Sequence, residues 1–223
     1  PAAAPVSSVA PQPSESTVTP MQGVVEGVVA TERANGAVMT TGTLADGLGS
    51  TIVLFGSQTG NAEAVAGRIH KDISGSGGGC TMMSMKEYEK IDLSLERLVL
   101  CVVSTTGQGD APDNSSKFFR FLKGRTNATT MLAAWRFGVL ALGDTNYDQF
   151  CKPGKVLDKR LEELGARRYV TGATGLKAEY GGPNGAADDA EGGQEECIEP
   201  WVKHLLATME QTGAFAPAAA PVS

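Results

Sequence analysis

Three short segments of this 223-residue sequence consist almost entirely of residues that can hold a polar ligand. They are residues 56–61 (GSQTGN), 104–114 (STTGQGDAPDN) and 143–151 (GDTNYDQFC). Glycine allows another molecule to approach the backbone, and hydroxyl, amide and carboxylate side chains supply hydrogen-bonding groups. Since each segment follows a short apolar run, we expect the chemistry of this protein where the three segments meet.

The first segment has the composition of a phosphate-binding turn. Ser57, Thr59 and Asn61 lie before a predicted helix, and a helix N-terminus carries unpaired N–H groups and a positive dipole. A phosphate can bind there without a lysine, but the same residues would also suit an ordinary helix N-cap. The turn has no Gly-Lys-Ser/Thr, and no G-x-G-x-x-G follows a predicted strand. Nucleoside triphosphates and dinucleotides are therefore disfavoured, which leaves a phosphate monoester.

The other two segments suit a flat ring. The glycines and small side chains of residues 104–110 would let a ring approach main-chain N–H and C=O groups. Tyr147 in the third segment could lie flat against that ring. A tyrosine that only packs its own loop is the alternative, and this segment taken in isolation favours that alternative.

Apolar runs alternate with amphipathic stretches on either side of these segments. Strands are predicted at residues 51–55, 80–85, 98–103, 135–142 and 168–170, and helices at residues 61–74, 112–122, 154–164 and 198–209. This alternation predicts an α/β fold whose parallel sheet is covered by helices on both faces. Because ligands bind beyond the carboxyl ends of such strands, the three polar segments are predicted to form one site.

The composition changes near residue 50. Residues 1–50 contain no Trp, Tyr or Phe and are interpreted as a low-complexity linker with an irregular lead-in. Residues 51–211 are predicted to form one domain, and residues 212–223 an Ala/Pro linker. The string PAAAPVS occurs at residues 1–7 and again at 217–223, which is typical of spacers between domains of a longer chain.

Charge and cysteine content limit the partners. A net charge of −6 argues against nucleic acid and suits a basic protein partner, although mild acidity also keeps proteins soluble. Four scattered cysteines without a C-x-x-C pair and only two histidines predict no metal site. Free thiols indicate an intracellular, reducing compartment, most simply the cytoplasm. The sequence contains no run of 18 apolar residues, so no membrane segment is predicted.

Together, SQTGNA at residues 57–62, STTGQGDAPDN at 104–114 and the stretch at 142–166 resemble the FMN domain of the diflavin reductase family. The resemblance runs over about residues 51–209, includes the Glu-Pro-Trp at 199–201, and is closest in motif detail to methionine synthase reductase. It implies a flavodoxin-like, doubly wound sheet of five parallel strands in the order 2-1-3-4-5. It also implies FMN as cofactor, with FAD and NADPH on a module outside this chain.

The resemblance assigns a role to each polar segment. The residues implied to bind the FMN phosphate are Ser57, Gln58, Thr59, Gly60, Asn61 and Ala62. Those implied to contact the ring and its side chain are Ser104, Thr105, Thr106, Gly107 and Gly109. Those implied to cover the ring are Leu142, Gly143, Asp144, Thr145, Asn146, Tyr147, Asp148, Gln149, Phe150 and Cys151.

Two of these positions carry a more specific expectation. Thr106 occupies a place where several family members have an aromatic residue, so Tyr147 is implied to be the sole ring stacked on the flavin. The Gly107 peptide is implied to reach flavin N5 and to stabilise the one-electron-reduced flavin, since glycine can flip that peptide without steric cost.

The implied function is an oxidoreductase module without a catalytic side chain of its own. NADPH would reduce an FAD, the FAD would reduce this FMN, and electrons would pass singly to a protein-bound acceptor. A non-redox module that binds a partner or a phosphate is the alternative, and the spacers disfavour a free-standing flavodoxin. An acidic loop at residues 171–196 is expected either to meet partners or simply to be solvated, with the candidates Asp188, Asp189, Glu191, Glu195 and Glu196.

Overall fold

The computed structural model describes residues 33–34, 37–38, 49–170, 185–189 and 193–215. The chain divides into two units, residues 1–41 and 42–223. In the first unit Arg33–Ala34 pairs antiparallel with Ala37–Val38. The second unit contains the parallel sheet, while both predicted PAAAPVS spacers lie outside the described residues.

The sheet of the second unit is entirely parallel. Its strands are β1 Gly49–Gly56, β2 Cys80–Ser84, β3 Arg97–Ser104, β4 Trp135–Gly143, β5 Arg167–Arg168 and β6 Gly185–Asp188. They lie in the order β2-β1-β3-β4-β5, and β6 also pairs with β4. The predicted order 2-1-3-4-5 is therefore confirmed.

The fifth position of the sheet differs from the prediction of one strand at residues 168–170. Two short strands occupy it, because Arg167–Arg168 pairs beside the start of β4 and Gly185–Asp188 beside its end. The second of these has the sequence Gly-Ala-Ala-Asp. It lacks the β-branched and aromatic residues that are typical of strands, so the sequence pattern did not indicate it.

Helices cover both faces of the sheet, as predicted. They are α1 Asn61–Gly75, α2 Ser116–Leu122, α3 Lys152–Glu163 and α4 Glu195–Gln211, with 3₁₀ turns at Met85–Lys90 and Asp113–Ser115. Successive strand residues point to opposite faces, so Val53 packs with α1 and α4, whereas Leu54 packs with α2 and α3. No helix among the described residues is long and apolar enough to cross a membrane.

The second helix is shorter than the predicted 112–122. A 3₁₀ turn precedes it, and the α-helix itself has 7 residues. Phe118, Phe119 and Leu122 are buried. Phe121 is only half-buried and packs at the edge of the same core cluster. Its ring stacks there on Tyr88, with centroids 4.8 Å apart.

The strand register brings three carboxyl ends to one edge. Phe55 of β1 lies opposite Val102 of β3, and Ser104 of β3 lies opposite Leu142 of β4. The loops that follow β1, β3 and β4 therefore leave the sheet side by side. They are the three polar segments.

Candidate functional site

The three loops surround a cleft of about 830 Å³ at the carboxyl edge of the sheet. Its lining is formed by Gln58, Thr59, Asn61, Ser104, Thr105, Thr106, Gly107, Gln108, Gly109, Leu142, Gly143, Asp144, Asn146, Tyr147, Asp148, Gln149, Phe150, Asp189 and Gln194. Clefts of several hundred Å³ suit small molecules and cofactors.

The first loop leaves the start of α1 open to a ligand. Gly60 is the N-cap residue, with φ 94°, and no side chain caps the helix. The hydroxyl of Ser57 accepts a hydrogen bond from the Gly60 N–H at 3.0 Å, so it shapes the turn behind that opening. The alternative of an ordinary side-chain cap is not the arrangement found, and the first-turn N–H groups remain suited to an anion.

The first loop is tied to the segment that follows the second loop. The Ser57 N–H donates to Asn114 Oδ1 at 2.9 Å. Gln58 and Asp113 bond in both directions, since the Asp113 N–H donates to Gln58 Oε1 at 3.1 Å and Gln58 Nε2 donates to Asp113 Oδ2 at 3.3 Å. The motif residues Asp113 and Asn114 thus position the first loop.

The second loop closes on itself between Thr106 and Asp110. Their backbones exchange hydrogen bonds of 3.0 and 2.8 Å, and the Thr106 hydroxyl donates to the Asp110 carbonyl at 3.1 Å. Gly107 has φ 49° and faces open space, where a Cβ would meet only Asp110 Oδ2 at 3.8 Å. At Gly109, with φ 95°, a Cβ would lie 2.4 Å from Gln149 Cβ. Glycine at 109 therefore allows the second and third loops to touch.

The third loop is anchored by a buried carboxylate from β6. The Thr145 N–H donates to Asp188 Oδ1 at 2.8 Å, and the Thr145 hydroxyl donates to Asp188 Oδ2 at 2.6 Å. Asp188 is only 5% exposed, so it is not available to a docking partner. The expectation that Asp188 belongs to an exposed acidic loop is corrected, whereas Asp189, Glu195 and Glu196 are exposed and Glu191 lies outside the described residues.

Tyr147 is the aromatic side chain that the cleft exposes. Its side chain lines the cleft and is 62% exposed, so it is not held in the protein interior. An aromatic ring in this position has one face free for another planar group. The arrangement favours the stacking interpretation over loop packing, and stacking stays a prediction.

Five predicted site residues lie outside the cleft lining. Ser57 and Gly60 shape the first turn, and Thr145 anchors the third loop. Ala62 is buried in the core beneath α1. Cys151 is buried at the N-cap of α3 with φ 52°, and burial raises the pKa of its thiol to about 12. That thiol is thus held neutral, which argues against a nucleophilic or metal-binding role.

Gln194 is a lining residue that the sequence did not indicate. It occupies the N-cap position of α4 and joins two of the loops. Asn61 Nδ2 donates to Gln194 Oε1 at 2.7 Å, and Gln194 Nε2 donates to the Gly143 carbonyl at 3.4 Å. The contact spans 133 residues of sequence, so no local pattern could have revealed it. Gln108 and Asp189 also line the cleft without having been assigned to the binding site.

The arrangement fits a phosphate-bearing planar ring. The open α1 N-terminus with Thr59 and Asn61 suits the phosphate, and the slot between the second and third loops, beside Tyr147, suits the ring. Among the described residues, no cluster of three or more His, Cys, Asp or Glu side chains could hold a metal ion.

The family model described as Flavodoxin matches residues 53–201. The match runs from within β1 to the start of α4 and includes the three loops.

Several proteins similar to this chain are reductases or oxidoreductases by name. Methionine synthase reductase of Bos taurus is 39% identical over 161 residues, 72% of this chain and 21% of that protein. The "Sulfite reductase [NADPH] flavoprotein alpha-component" of Bacillus subtilis (strain 168) is 37% identical over 171 residues, 77% of this chain and 26% of that protein. The "NADPH-dependent diflavin oxidoreductase 1" of Xenopus laevis is 37% identical over 69% of this chain and 24% of that protein. The chain therefore spans about a quarter of the length of these relatives or less.

Solved flavodoxins share the fold. The flavodoxin of Streptococcus pneumoniae TIGR4 superposes with a TM-score of 0.52 at 23% identity, over 73% of this chain and 99% of that one. Oxidised Flavodoxin 2 from Bacillus cereus gives a TM-score of 0.52 at 20% identity, with the same coverage.

Proposed function

This chain belongs to the flavodoxin family, which implies flavin binding, and we propose that it is the FMN-binding electron-transfer domain of a diflavin reductase. The observation that carries the proposal is the cleft of about 830 Å³, into which three loops bring an open helix N-terminus and an exposed tyrosine. The names of its relatives, two of which specify NADPH, support the reductase class.

The choice of FMN over FAD rests on the first loop. The start of α1 suits one terminal phosphate, since Gly60 leaves the first-turn N–H groups without a side-chain cap. The sequence contains no motif for an adenylate half. Thr59 and Asn61 line the cleft beside this point and supply a hydroxyl and an amide.

The other two loops would orient the ring and restrict water. Tyr147 offers a stacking face. A Cβ at Gly107 would meet only Asp110 Oδ2 at 3.8 Å, and glycine leaves the backbone free to turn its peptide towards the ring edge. Bound FMN would supply a centre that takes up and releases either one or two electrons. The protein groups would set how the ring is held and which charges surround it.

The partners in this proposal are an FAD- and NADPH-binding module that supplies electrons and a redox protein or domain that accepts them. The similarity to reductases named for NADPH supports the first partner. We further propose an intracellular, reducing compartment, most simply the cytoplasm. This rests on four free cysteines, Cys80, Cys101, Cys151 and Cys197.

An absorbance spectrum and cofactor chromatography test the proposal directly. The purified chain, supplied with FMN, is expected to show a flavin spectrum perturbed by binding, and the released cofactor should run as FMN. Recovery of FAD would contradict the phosphate assignment. A spectrum identical to that of free FMN after FMN addition would favour a non-redox module.

A further inference from the structure

Three lysines lie on one face of α3, immediately beside the cleft. Lys152, Lys155 and Lys159 are separated by three and four residues, which places their side chains on the same side of a helix. All three are exposed. This clustering contrasts with the net charge of −6 of the whole chain.

Arginines in this region have ion-pair partners, whereas the three lysines largely do not. Arg160 pairs with Glu163 at 2.9 Å, and Arg168 pairs with Asp158 at 2.7 Å. Among the described residues, neither Lys152 nor Lys155 has an ion-pair partner, and Lys159 reaches Glu163 only at 3.9 Å. The first turn of α3 contains no acidic residue, so the two unpaired lysines add to the positive end of the helix dipole.

The lysines border a groove with an apolar floor. The lysine groove, of about 320 Å³, is lined by Asp148, Gln149, Phe150, Lys152, Lys155, Val156 and Lys159. Lys155 Nζ lies 5.2 Å from the centroid of the Phe150 ring. The aromatic ring of Phe150 offers apolar contact area, and the lysines supply the polar, solvent-accessible rim that surrounds such contacts in protein interfaces.

The lysine groove adjoins the cleft. Asp148, Gln149 and Phe150 line both, so the third loop is the wall between them. A protein seated in the groove would therefore stand at the mouth of the flavin site. The acidic residues that line the two pockets are Asp148, which borders both, and Asp144 and Asp189 in the cleft, so the positive charge lies on the α3 side.

We propose that the lysine groove is the docking surface for an acidic face of the protein that accepts electrons from this domain. The proposal rests on the proposed function, because it is the flavin that makes the mouth of the cleft a place to dock. Charge complementarity identifies the partner chemistry: carboxylates of the partner would meet the lysines, and an apolar side chain would cover Phe150 and Val156. Such complementarity mainly raises the association rate and fixes the orientation of the pair.

The first test uses an acidic peptide and needs no flavin. A fluorescein-labelled deca-glutamate peptide is titrated with the parent chain, with the triple variant Lys152→Gln, Lys155→Gln, Lys159→Gln, and with a matched control. The control changes three exposed lysines away from both pockets, Lys71→Gln, Lys86→Gln and Lys117→Gln, and so alters the net charge equally. At low ionic strength the groove variant should bind at least about fivefold more weakly than parent and control, and salt should remove the difference.

The second test measures whether the charge of the three lysines changes the rate at which the reduced flavin reacts with charged oxidants. Chemically reduced, flavin-loaded protein is mixed in a stopped-flow instrument with ferricyanide, an anionic oxidant, or with hexaammineruthenium(III), a cationic one. The groove variant should slow the ferricyanide reaction severalfold at low salt and speed the ruthenium reaction, while the control triple variant should match the parent.

Equal peptide affinities for the two triple variants, or no peptide binding by the parent, would overturn the proposal. So would identical salt dependence of both variants in the oxidation experiment. Failure to load flavin would instead count against the proposed function, and the peptide titration would still decide whether the groove attracts acidic protein.

Discussion

Tyr147 is the most exposed aromatic residue among the described residues, and this exposure makes its role testable. Since the ring is 62% exposed, Tyr147→Ala should leave the stability of the flavin-free protein nearly unchanged. Loss of stacking should weaken FMN binding by about 1–3 kcal/mol. Titration of flavin fluorescence measures the affinity, with Tyr147→Phe as the control that retains the ring. Unchanged FMN affinity in the alanine variant would return Tyr147 to a loop-packing role.

Gln194 should act on the phosphate end of the site through Asn61. Its side chain holds the Asn61 amide at 2.7 Å and reaches the Gly143 carbonyl at 3.4 Å. Gln194→Ala should therefore weaken FMN binding by about 1 kcal/mol, the usual net value of one hydrogen bond. Binding of riboflavin, which lacks the phosphate, should change less.

The matched comparison for Gln194 is Asn61→Ala, alone and combined with Gln194→Ala. If the two residues act as a pair, the double variant should lose little more than either single variant. Equal loss of FMN and riboflavin affinity would show instead that Gln194 only supports the overall shape of the loops.

At the residue scale, local motifs predicted most of the residues that line the cleft. Contacts between distant parts of the sequence could not be predicted. Most of the predicted loop residues do line one cleft, because each polar loop directly follows a buried strand whose position the apolar pattern indicates. Gln194 and Asp188 reach the site from a part of the chain where the spacing is irregular. The burial of Asp188 depends on its pairing with Thr145, 43 residues away, which no periodicity encodes.

Among the elements, α3 packs closely on β4 at Gly154. A Cβ there would lie 2.2 Å from Ala141 Cβ, too close for both to stay in place. Gly154→Ala should destabilise the fold, because overpacking costs about 1–3 kcal/mol and exceeds the helix propensity gained. Gly75→Ala in α1 is the control, since nothing lies within 4 Å of its Cβ position. Urea unfolding should show a loss for the first variant and a small gain or no change for the second.

Hydrogen bonds from the Arg168 guanidinium join β5 to α3 and should make the stability of the fold depend on pH. Arg168 Nε and Nη2 contact the two oxygens of Asp158 at 3.0 and 2.7 Å, and the same guanidinium bonds to Glu162. That hydrogen bond holds the pKa of Glu162 below its ordinary value of 4.5. A carboxylate with a lowered folded-state pKa stabilises the fold above its unfolded pKa, and this contribution is lost as pH falls through the folded value.

Arg168→Gln should therefore lose less stability than the parent between pH 6 and pH 3. Glu162→Gln should flatten the same pH dependence while leaving the contact with Asp158 in place. Urea unfolding at several pH values measures both. Parallel curves for the parent and the two variants would exclude a contribution from this contact.

The elements themselves were largely predictable, and the exception has a physical reason. Long apolar runs such as β3 and β4 are buried on both faces, so their sequences are almost continuously apolar. The edge position is divided between β5 and β6, which have only 2 and 4 residues. Strands this short take their conformation from the pairing edge of β4 rather than from their own propensity.

Over the whole molecule, charge is distributed unevenly about the site. The chain is acidic overall, with acidic residues at the cleft and an exposed pair, Glu195 and Glu196, at the start of α4. The α3 side is basic through the lysine groove. Net charge alone had indicated a basic partner. The positions of the lysines in three dimensions show that the mouth of the cleft carries positive as well as negative charge.

Flavin binding should stabilise the whole second unit, because the cleft joins its first and last helices. Asn61 at the start of α1 and Gln194 at the start of α4 meet at the site, so a ligand held there restrains both ends of the fold. FMN at 100 times its dissociation constant should add about 2.7 kcal/mol to the free energy of unfolding. For a domain of this size each kcal/mol raises the melting temperature by roughly 2–4 °C, so a rise of about 5–10 °C is expected. Riboflavin at the same concentration should give a smaller rise, since the N–H groups at the start of α1 would lack their anion. Thermal unfolding of the flavin-free, riboflavin-loaded and FMN-loaded protein measures the series, and equal rises with the two flavins would remove the first loop from the phosphate site.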